Sequence, residues 1–154
     1  MKPWMFIAGF VVALAAALGY FLLNKPPESV SVVHHLTLQQ PCDLHLAPCV
    51  AADNAGRSVR FQFTPAAIPL MKELTVQVDI DGIPAYQAAQ VIVEGTNMFM
   101  GYQRAELRTD TASSLTGTLV LPVCTLEKMA WQATLDIETP TGKIQAIFPF
   151  VTQR

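Results

Sequence analysis

Two methionines placed two positions apart are the most specific chemical feature of this sequence. Met98 and Met100 belong to the segment Gly95-Thr96-Asn97-Met98-Phe99-Met100-Gly101. On an extended chain, side chains two apart point to the same side, so the two thioethers can be presented together. Thioethers suit Cu(I), a soft ion. The alternative is that both methionines fill one end of a hydrophobic core, which is the commoner role of methionine.

A third ligand for such an ion would come from a distant segment, namely from Cys124, Met129 or a histidine. We take Met98, Met100 and Cys124 as the candidate Cu(I) site, and copper is the one cofactor that these residues suggest. His34 and His35 are adjacent, so a strand would point them to opposite faces, where they cannot readily share a metal.

The three cysteines Cys42, Cys49 and Cys124 allow one disulfide and leave one thiol. The near pair, Cys42 and Cys49, would close a loop of about eight residues, worth roughly 2.5 kcal/mol of unfolded-chain entropy. A bond from either of them to Cys124 is the alternative. Cys124 can then be a buried thiol, a disulfide partner or a metal ligand. His45, which lies inside the near-pair loop, is expected to be solvated.

The N-terminal segment is expected to span a membrane. From Trp4 to Leu23 no residue is charged, and about twenty residues rising 1.5 Å each cover roughly 30 Å, the thickness of a bilayer core. A secretory signal peptide is the competing interpretation, but its apolar region is normally shorter. The sequence therefore predicts an anchor over residues 1–25, a proline-containing stalk over 26–31 and one domain over 32–154.

A few residues predict which side of the membrane the domain faces and where a partner helix could contact the anchor. Lys2 precedes the apolar segment and Lys25 follows it, a weak bias that, with the cysteines, predicts a domain in the periplasm of a bacterial inner membrane. Gly9, Ala13 and Ala17 recur at four-residue spacing, which allows close approach of a partner helix. The alternative is that small residues are simply common in such helices.

The rest of the chain reads as short β-strands separated by turn residues. Alternation is clear where Leu74, Val76 and Val78 face one way, and Asp81-Gly82 and Thr141-Gly142 are turn pairs. The predicted strands are Val30–Leu38, Arg57–Phe63, Leu74–Asp81, Gln90–Val93, Tyr102–Thr109, Ser114–Leu121, Ala130–Glu138 and Lys143–Val151. About 7–8 strands in one domain predict an immunoglobulin-like antiparallel β-sandwich.

Charge and motifs argue against two function classes. The net charge is −2 and no basic run occurs, so nucleic acid is not an expected partner. The serine-hydrolase, zinc-protease and phosphate-loop signatures are missing from the sequence. A non-catalytic protein is therefore expected.

From Leu74 to the C-terminus the sequence resembles the FixH/YtkA-type periplasmic domains. The resemblance is carried by Met98-Phe99-Met100-Gly101, by a strand leading to a proline over Thr116–Pro122, by Met129-Ala130-Trp131 and by the apolar closing strand Ile144–Val151. It implies a small membrane-anchored accessory factor that assembles or associates with haem-copper respiratory oxidases or related copper proteins. The segment Pro41–Val50 and the single predicted span depart from the family pattern.

The leading hypothesis is a non-catalytic, membrane-anchored accessory or assembly subunit of a respiratory complex of the haem-copper oxidase type, with other membrane-protein subunits as partners. The rival is a periplasmic chaperone that delivers Cu(I) through Met98, Met100 and a thiol. A redox-active thiol protein is weaker, because no C-x-x-C motif occurs.

Overall fold

The computed structural model of the chain describes residues 33–111 and 113–153. Among these residues no helix is long and apolar enough to cross a bilayer. The predicted anchor (1–25), the stalk (26–31) and the small residues Gly9, Ala13 and Ala17 lie outside the described residues. All described residues lie within the predicted domain (32–154), whose bounds remain a prediction.

All regular structure in the described residues is β, so the mainly β fold class is confirmed. The strands are β1 (Val33–His35), β2 (Thr37–Leu38), β3 (Cys49–Ala52), β4 (Ser58–Thr64), β5 (Glu73–Asp81), β6 (Ala88–Gly95), β7 (Tyr102–Thr111), β8 (Ser114–Val120), β9 (Lys128–Thr139) and β10 (Gly142–Gln153).

The strands form a sandwich-like sheet that nearly closes on itself. Its hydrogen-bonded order is β1-β10-β9-β6-β7-β8-β5-β4-β3-β2. β1 runs parallel to β10, and the remaining neighbours run antiparallel. The two faces of the sandwich are β1-β10-β9-β6 and β8-β5-β4-β3-β2. β7 joins them, because its residues Tyr102 to Leu107 pair with β6, whereas Arg108, Thr109 and Thr111 pair with β8.

Period-2 alternation accounts for the core. Leu74, Val76 and Val78 are fully buried on β5, and the residues between them are partly exposed. The rings of Phe61 and Phe148 stack with centroids 4.6 Å apart, so strands from opposite faces meet in the centre of the sandwich.

Two local features differ from the sequence prediction. The predicted strand Val30–Leu38 is divided into β1 and β2. β1 pairs with β10 on one face and β2 pairs with β3 on the other, and Leu36, between them, is buried. The short strand β3, with Cys49 and Ala51 buried, was not predicted. Its four residues include two alanines, which give a weak strand signal.

The register places the connections at two ends of the sandwich. One, which we call the turn end, holds the connections 53–57, 82–87 and 140–141 and the β7–β8 turn. The other, which we call the site end, holds the segments 39–48, 65–72, 96–101 and 121–127. Val33 pairs with Lys143, so the described chain begins at the turn end.

Candidate functional site

A thiol and a thioether meet at the site end. The Cys124 thiol lies with its Sγ atom 3.3 Å from the Sδ atom of Met98. Met98 belongs to the β6–β7 loop and Cys124 to the β8–β9 segment. Cys124 is 6% exposed and Met98 is 37% exposed. The structure thus brings together two of the three residues that the sequence suggested as Cu(I) ligands.

Asn97 fastens the Met98 loop to the start of β9. Its Nδ2 atom donates to the Lys128 carbonyl at 3.2 Å, and its Oδ1 atom accepts from the Ala130 N–H at 3.1 Å. The N–H of Thr96 donates to the Ala130 carbonyl at 2.9 Å. Three hydrogen bonds therefore hold the residues just before Met98 in a fixed position beside β9.

Gly95, the last residue of β6, makes this close approach possible. A Cβ atom at Gly95 would lie 2.2 Å from the Met98 carbonyl oxygen and 2.3 Å from the methyl carbon of Met129. Both contacts are too short for any side chain to fit without movement. The loop can fold back over Met129 only because position 95 carries no side chain.

Met100 is partly buried and packs against the hydrophobic core. Its carbonyl oxygen accepts a long hydrogen bond of 3.4 Å from Gln103 Nε2. Gly101 follows with a φ of 76°, in the left-handed region that favours glycine, and turns the chain into β7. The role of Met100 as a Cu(I) ligand remains a prediction.

Exposed apolar side chains neighbour Met98 and Cys124 along the chain. Phe99 is 67% and Tyr102 is 61% exposed, and their rings meet edge to face with centroids 5.4 Å apart. On the other side, Val123 and Leu126 flank Cys124 and are also exposed. We call these four exposed side chains, Phe99, Tyr102, Val123 and Leu126, the apolar rim.

The disulfide prediction is confirmed: Cys42 and Cys49 are bonded, with Cα atoms 5.1 Å apart, and Cys124 is left as a free, buried thiol. The bond closes the loop that contains His45. The ring nitrogens of His45 lie 3.0 Å from the Ala66 carbonyl oxygen and 2.7 Å from the Val151 carbonyl oxygen.

His45 is exposed, in line with the solvated histidine expected from the sequence, and its ring also bridges the segment 65–72 and strand β10. With both nitrogens next to carbonyl oxygens, its ring binds backbone and is not directed toward the sulfur pair. Among the described residues, no group of three or more histidine, cysteine, aspartate and glutamate side chains could hold a metal ion. A metal at this end would depend on thioethers.

Sequence reasoning did not identify Gly95 and Asn97 as parts of the site. Both lie in the quoted segment, and a Gly-x-Asn at the end of a strand is a turn signal. The sequence does not show that the asparagine side chain bonds to β9, more than thirty positions away, because that contact depends on strand order.

Comparison with known proteins gives no match: no protein-family model, curated protein or solved structure matches the chain. The resemblance to FixH/YtkA-type domains therefore remains a prediction. Function is inferred below from the site and its surroundings.

Proposed function

We propose that this chain is a non-catalytic, membrane-anchored accessory protein of a respiratory complex and that it binds Cu(I) through Cys124 and Met98. The observation that carries the copper-binding part is the 3.3 Å separation of Cys124 Sγ and Met98 Sδ. The membrane and respiratory parts are supported by the uncharged segment Trp4–Leu23 and by the FixH/YtkA resemblance.

The chemistry of the pair selects soft ions. Cysteine binds metals as the thiolate, so the arriving ion displaces the Cys124 proton. Met98 adds a neutral thioether, which is a good ligand for Cu(I) and a poor one for Mg²⁺ or Ca²⁺. One negative ligand charge balances the single charge of Cu(I), which lowers the cost of holding the ion in a weakly hydrated place.

The two proposed ligands differ in exposure, which suits a site that receives Cu(I) and passes it to a partner protein. Cys124 is almost fully buried, whereas Met98 is more than a third exposed. A flexible thioether at the surface can meet an incoming ion first and move without disturbing the core. The apolar rim gives a partner protein a dry surface beside the ion, which favours transfer to that partner.

The proposed partners are membrane subunits of a haem-copper oxidase type of complex. Gly9, Ala13 and Ala17 would lie along one face of a spanning helix and permit close packing. The disulfide Cys42–Cys49 supports an oxidising compartment, so we place the domain in the periplasm. We also assign the sandwich to the immunoglobulin-like class, supported by its seven longer strands and its parallel first-to-last pairing.

The copper-binding part is tested by titrating the purified full-length chain with Cu(I) under anaerobic conditions against a chromogenic Cu(I) chelator. We expect one ion per chain. Cys124→Ser removes the thiolate and should abolish competition with the chelator, and Met98→Leu should weaken binding at least about tenfold, since even outer-shell changes cost 10 to 100-fold.

Met71→Leu is the matched control, because Met71 is a methionine of the site end that is 64% exposed and should not change binding. The proposal is contradicted if the wild-type protein takes up no Cu(I). It is also contradicted if Cys124→Ser binds Cu(I) as tightly as the wild type does.

The respiratory part is tested by co-purification from membranes in mild detergent. Gly9→Leu with Ala13→Leu would fill the face that a partner helix needs and should remove the complex from the eluate. Val11→Leu with Ala15→Leu, which a helix places on the opposite side, is the control and should retain it. Equal recovery with both pairs, or no oxidase subunit with the wild type, contradicts a helix-mediated association.

A further inference from the structure

We propose that Met129 supplies the third sulfur of the site, so that Cu(I) is held by Cys124, Met98 and Met129. This inference rests on the proposed function and specifies its ligand set. Sequence reasoning chose Met100 as the second thioether and named Met129 only among several sources of a further ligand. Three features of the structure favour Met129.

The first feature is the position of Met129 on β9. It is the second residue of that strand, is 2% exposed and points into the site end of the core. The residues on either side, Lys128 and Ala130, are the two that Asn97 binds through their backbone atoms. Met129 therefore lies between the two β9 residues that the Asn97 clamp binds.

The second feature is the space at Gly95. The methyl carbon of Met129 and the carbonyl oxygen of Met98 lie 2.3 Å and 2.2 Å from the place that a Cβ atom of Gly95 would occupy. Gly95 does not have a positive φ, so its backbone conformation does not require glycine. Close packing requires glycine here, because only the absence of a side chain at position 95 lets the end of Met129 lie against the Met98 backbone.

The third feature is the different placement of Met100. Its side chain is only partly buried against the core cluster, to which Met129 belongs, and the 3.3 Å contact with Cys124 Sγ is made by Met98 Sδ. Phe99, between the two methionines, is largely exposed. The loop residues 98–100 are not part of a strand, so the same-side rule for extended chains does not by itself predict that Met100 lies beside the pair.

A thiolate with two thioethers makes a site without nitrogen or oxygen ligands. Such a donor set favours Cu(I) and disfavours Zn²⁺, which is bound in proteins by thiolate, imidazole and carboxylate. Cu(I) is a closed-shell ion without a strong geometric demand, and methionine has three rotatable bonds, so small movements of Met98 and Met129 can close the site around it.

The test is the number of sulfur neighbours of copper, measured by X-ray absorption on the Cu(I)-loaded full-length chain. We expect three in the wild type, two in Met129→Leu and three in the matched variant Met100→Leu. Met129→Leu should also weaken Cu(I) binding about tenfold or more, whereas Met100→Leu should not. Leucine is close in volume to methionine, and circular dichroism checks that each variant is folded.

A second measurement leaves Met129 in place. Selenomethionine-labelled Met100→Leu protein should show two copper–selenium contacts, from Met98 and Met129. One contact would overturn the assignment, as would an unchanged sulfur count in Met129→Leu or a lost sulfur in Met100→Leu. These outcomes differ from failure of the proposed function, in which the wild type itself binds no Cu(I).

Discussion

The two ends of the sandwich are built in different ways. At the turn end the connections are short, and Asp53 accepts bonds from its near neighbours Ala55 and Arg57. The connection 82–87 is also held by two bonds to distant residues, Tyr86 to Thr109 and Gln87 to Glu138. At the site end the segments are longer and are held by bonds between distant residues, such as Asn97 to Lys128 and His45 to Val151. The comparison therefore separates an end of short turns from an end whose longer segments hold the candidate site.

This division has a physical reason. Short turns match the strand register and leave little surface for a ligand. Longer loops can place groups from several strands side by side, but they must then be fixed by cross-links, here a disulfide, a bridging histidine and an asparagine clamp. The sulfur pair lies at the end that has such cross-links.

The largest expected effect is on stability, when alanine replaces one of two glycines with positive φ, one at each end of the sandwich. At the turn end, a Cβ atom on Gly82 (φ 69°) would lie 2.1 Å from the Gly56 carbonyl oxygen, whereas Gly101 (φ 76°), at the site end, has open space. Gly82→Ala should therefore cost about 3–5 kcal/mol, combining backbone strain and a clash. Gly101→Ala should cost only about 1–2 kcal/mol from strain. Denaturant unfolding measures both, and equal losses would contradict the packing described for the turn end.

The second prediction concerns the disulfide of the site end. Cys42→Ala with Cys49→Ala should lower the free energy of unfolding by about 2.5 kcal/mol, because the unfolded chain regains the freedom of a loop of about eight residues. Cu(I) affinity should stay the same below the unfolding temperature, since the bond does not include Cys124. A variant that keeps full stability, or that loses Cu(I) while folded, would contradict the separate roles of these cysteines.

The third prediction sharpens the role of the asparagine clamp. Asn97→Ala removes two side-chain hydrogen bonds to β9 and should cost about 1–2 kcal/mol of stability. It should also weaken Cu(I) binding, because the Met98 loop is no longer fixed. Gln103→Ala, which removes one long bond to the Met100 carbonyl, is the control. If both variants bind Cu(I) as the wild type does, the clamp does not position Met98.

The smallest expected effect is a pH dependence at the turn end. Burial opposes ionisation of Asp53, but hydrogen bonds from the Arg57 side chain and from the Arg57 and Ala55 N–H groups outweigh it and hold the pKa of Asp53 below its ordinary value of 3.8. The stabilisation is therefore present above pH 3.8 and is lost as pH falls through the lower folded-state pKa.

Asp53→Asn should accordingly be slightly less stable than the wild type near neutral pH, and the difference should shrink in strong acid. Unfolding curves across this range measure it. A difference that grows on acidification would show that Asp53 is not held ionised by Arg57.

The sequence predicts the fold better than the site because the two depend on different information. Alternation at Leu74, Val76 and Val78 places a strand without knowledge of its neighbours. The near spacing of Cys42 and Cys49 likewise favours the bond that is found. The contacts of Asn97 with β9 and of His45 with Ala66 and Val151 depend instead on which strands are adjacent.

The sulfur residues were predicted in part from the sequence, less fully than the strands but better than the contacts of Asn97 and His45. Met98 and Cys124 were proposed together from ligand chemistry, and the structure places them 3.3 Å apart. The extended-chain rule grouped Met98 with Met100, and both lie in the β6–β7 loop, so that grouping remains a prediction. Residue type therefore brought Met98 and Cys124 together, whereas the approach of Met129 to the Met98 backbone depends on the loop conformation.

The central claim, that the site end holds one Cu(I) ion on Cys124 and Met98, is tested most directly by NMR of methionine methyl groups in the ¹³C-methyl-labelled full-length chain. Assignment uses the methionine-to-leucine variants. One equivalent of Cu(I) should shift the Met98 methyl signal and leave that of Met71 in place, and Cys124→Ser should abolish the shift. An unchanged Met98 signal, or one that shifts equally without Cys124, would contradict the account.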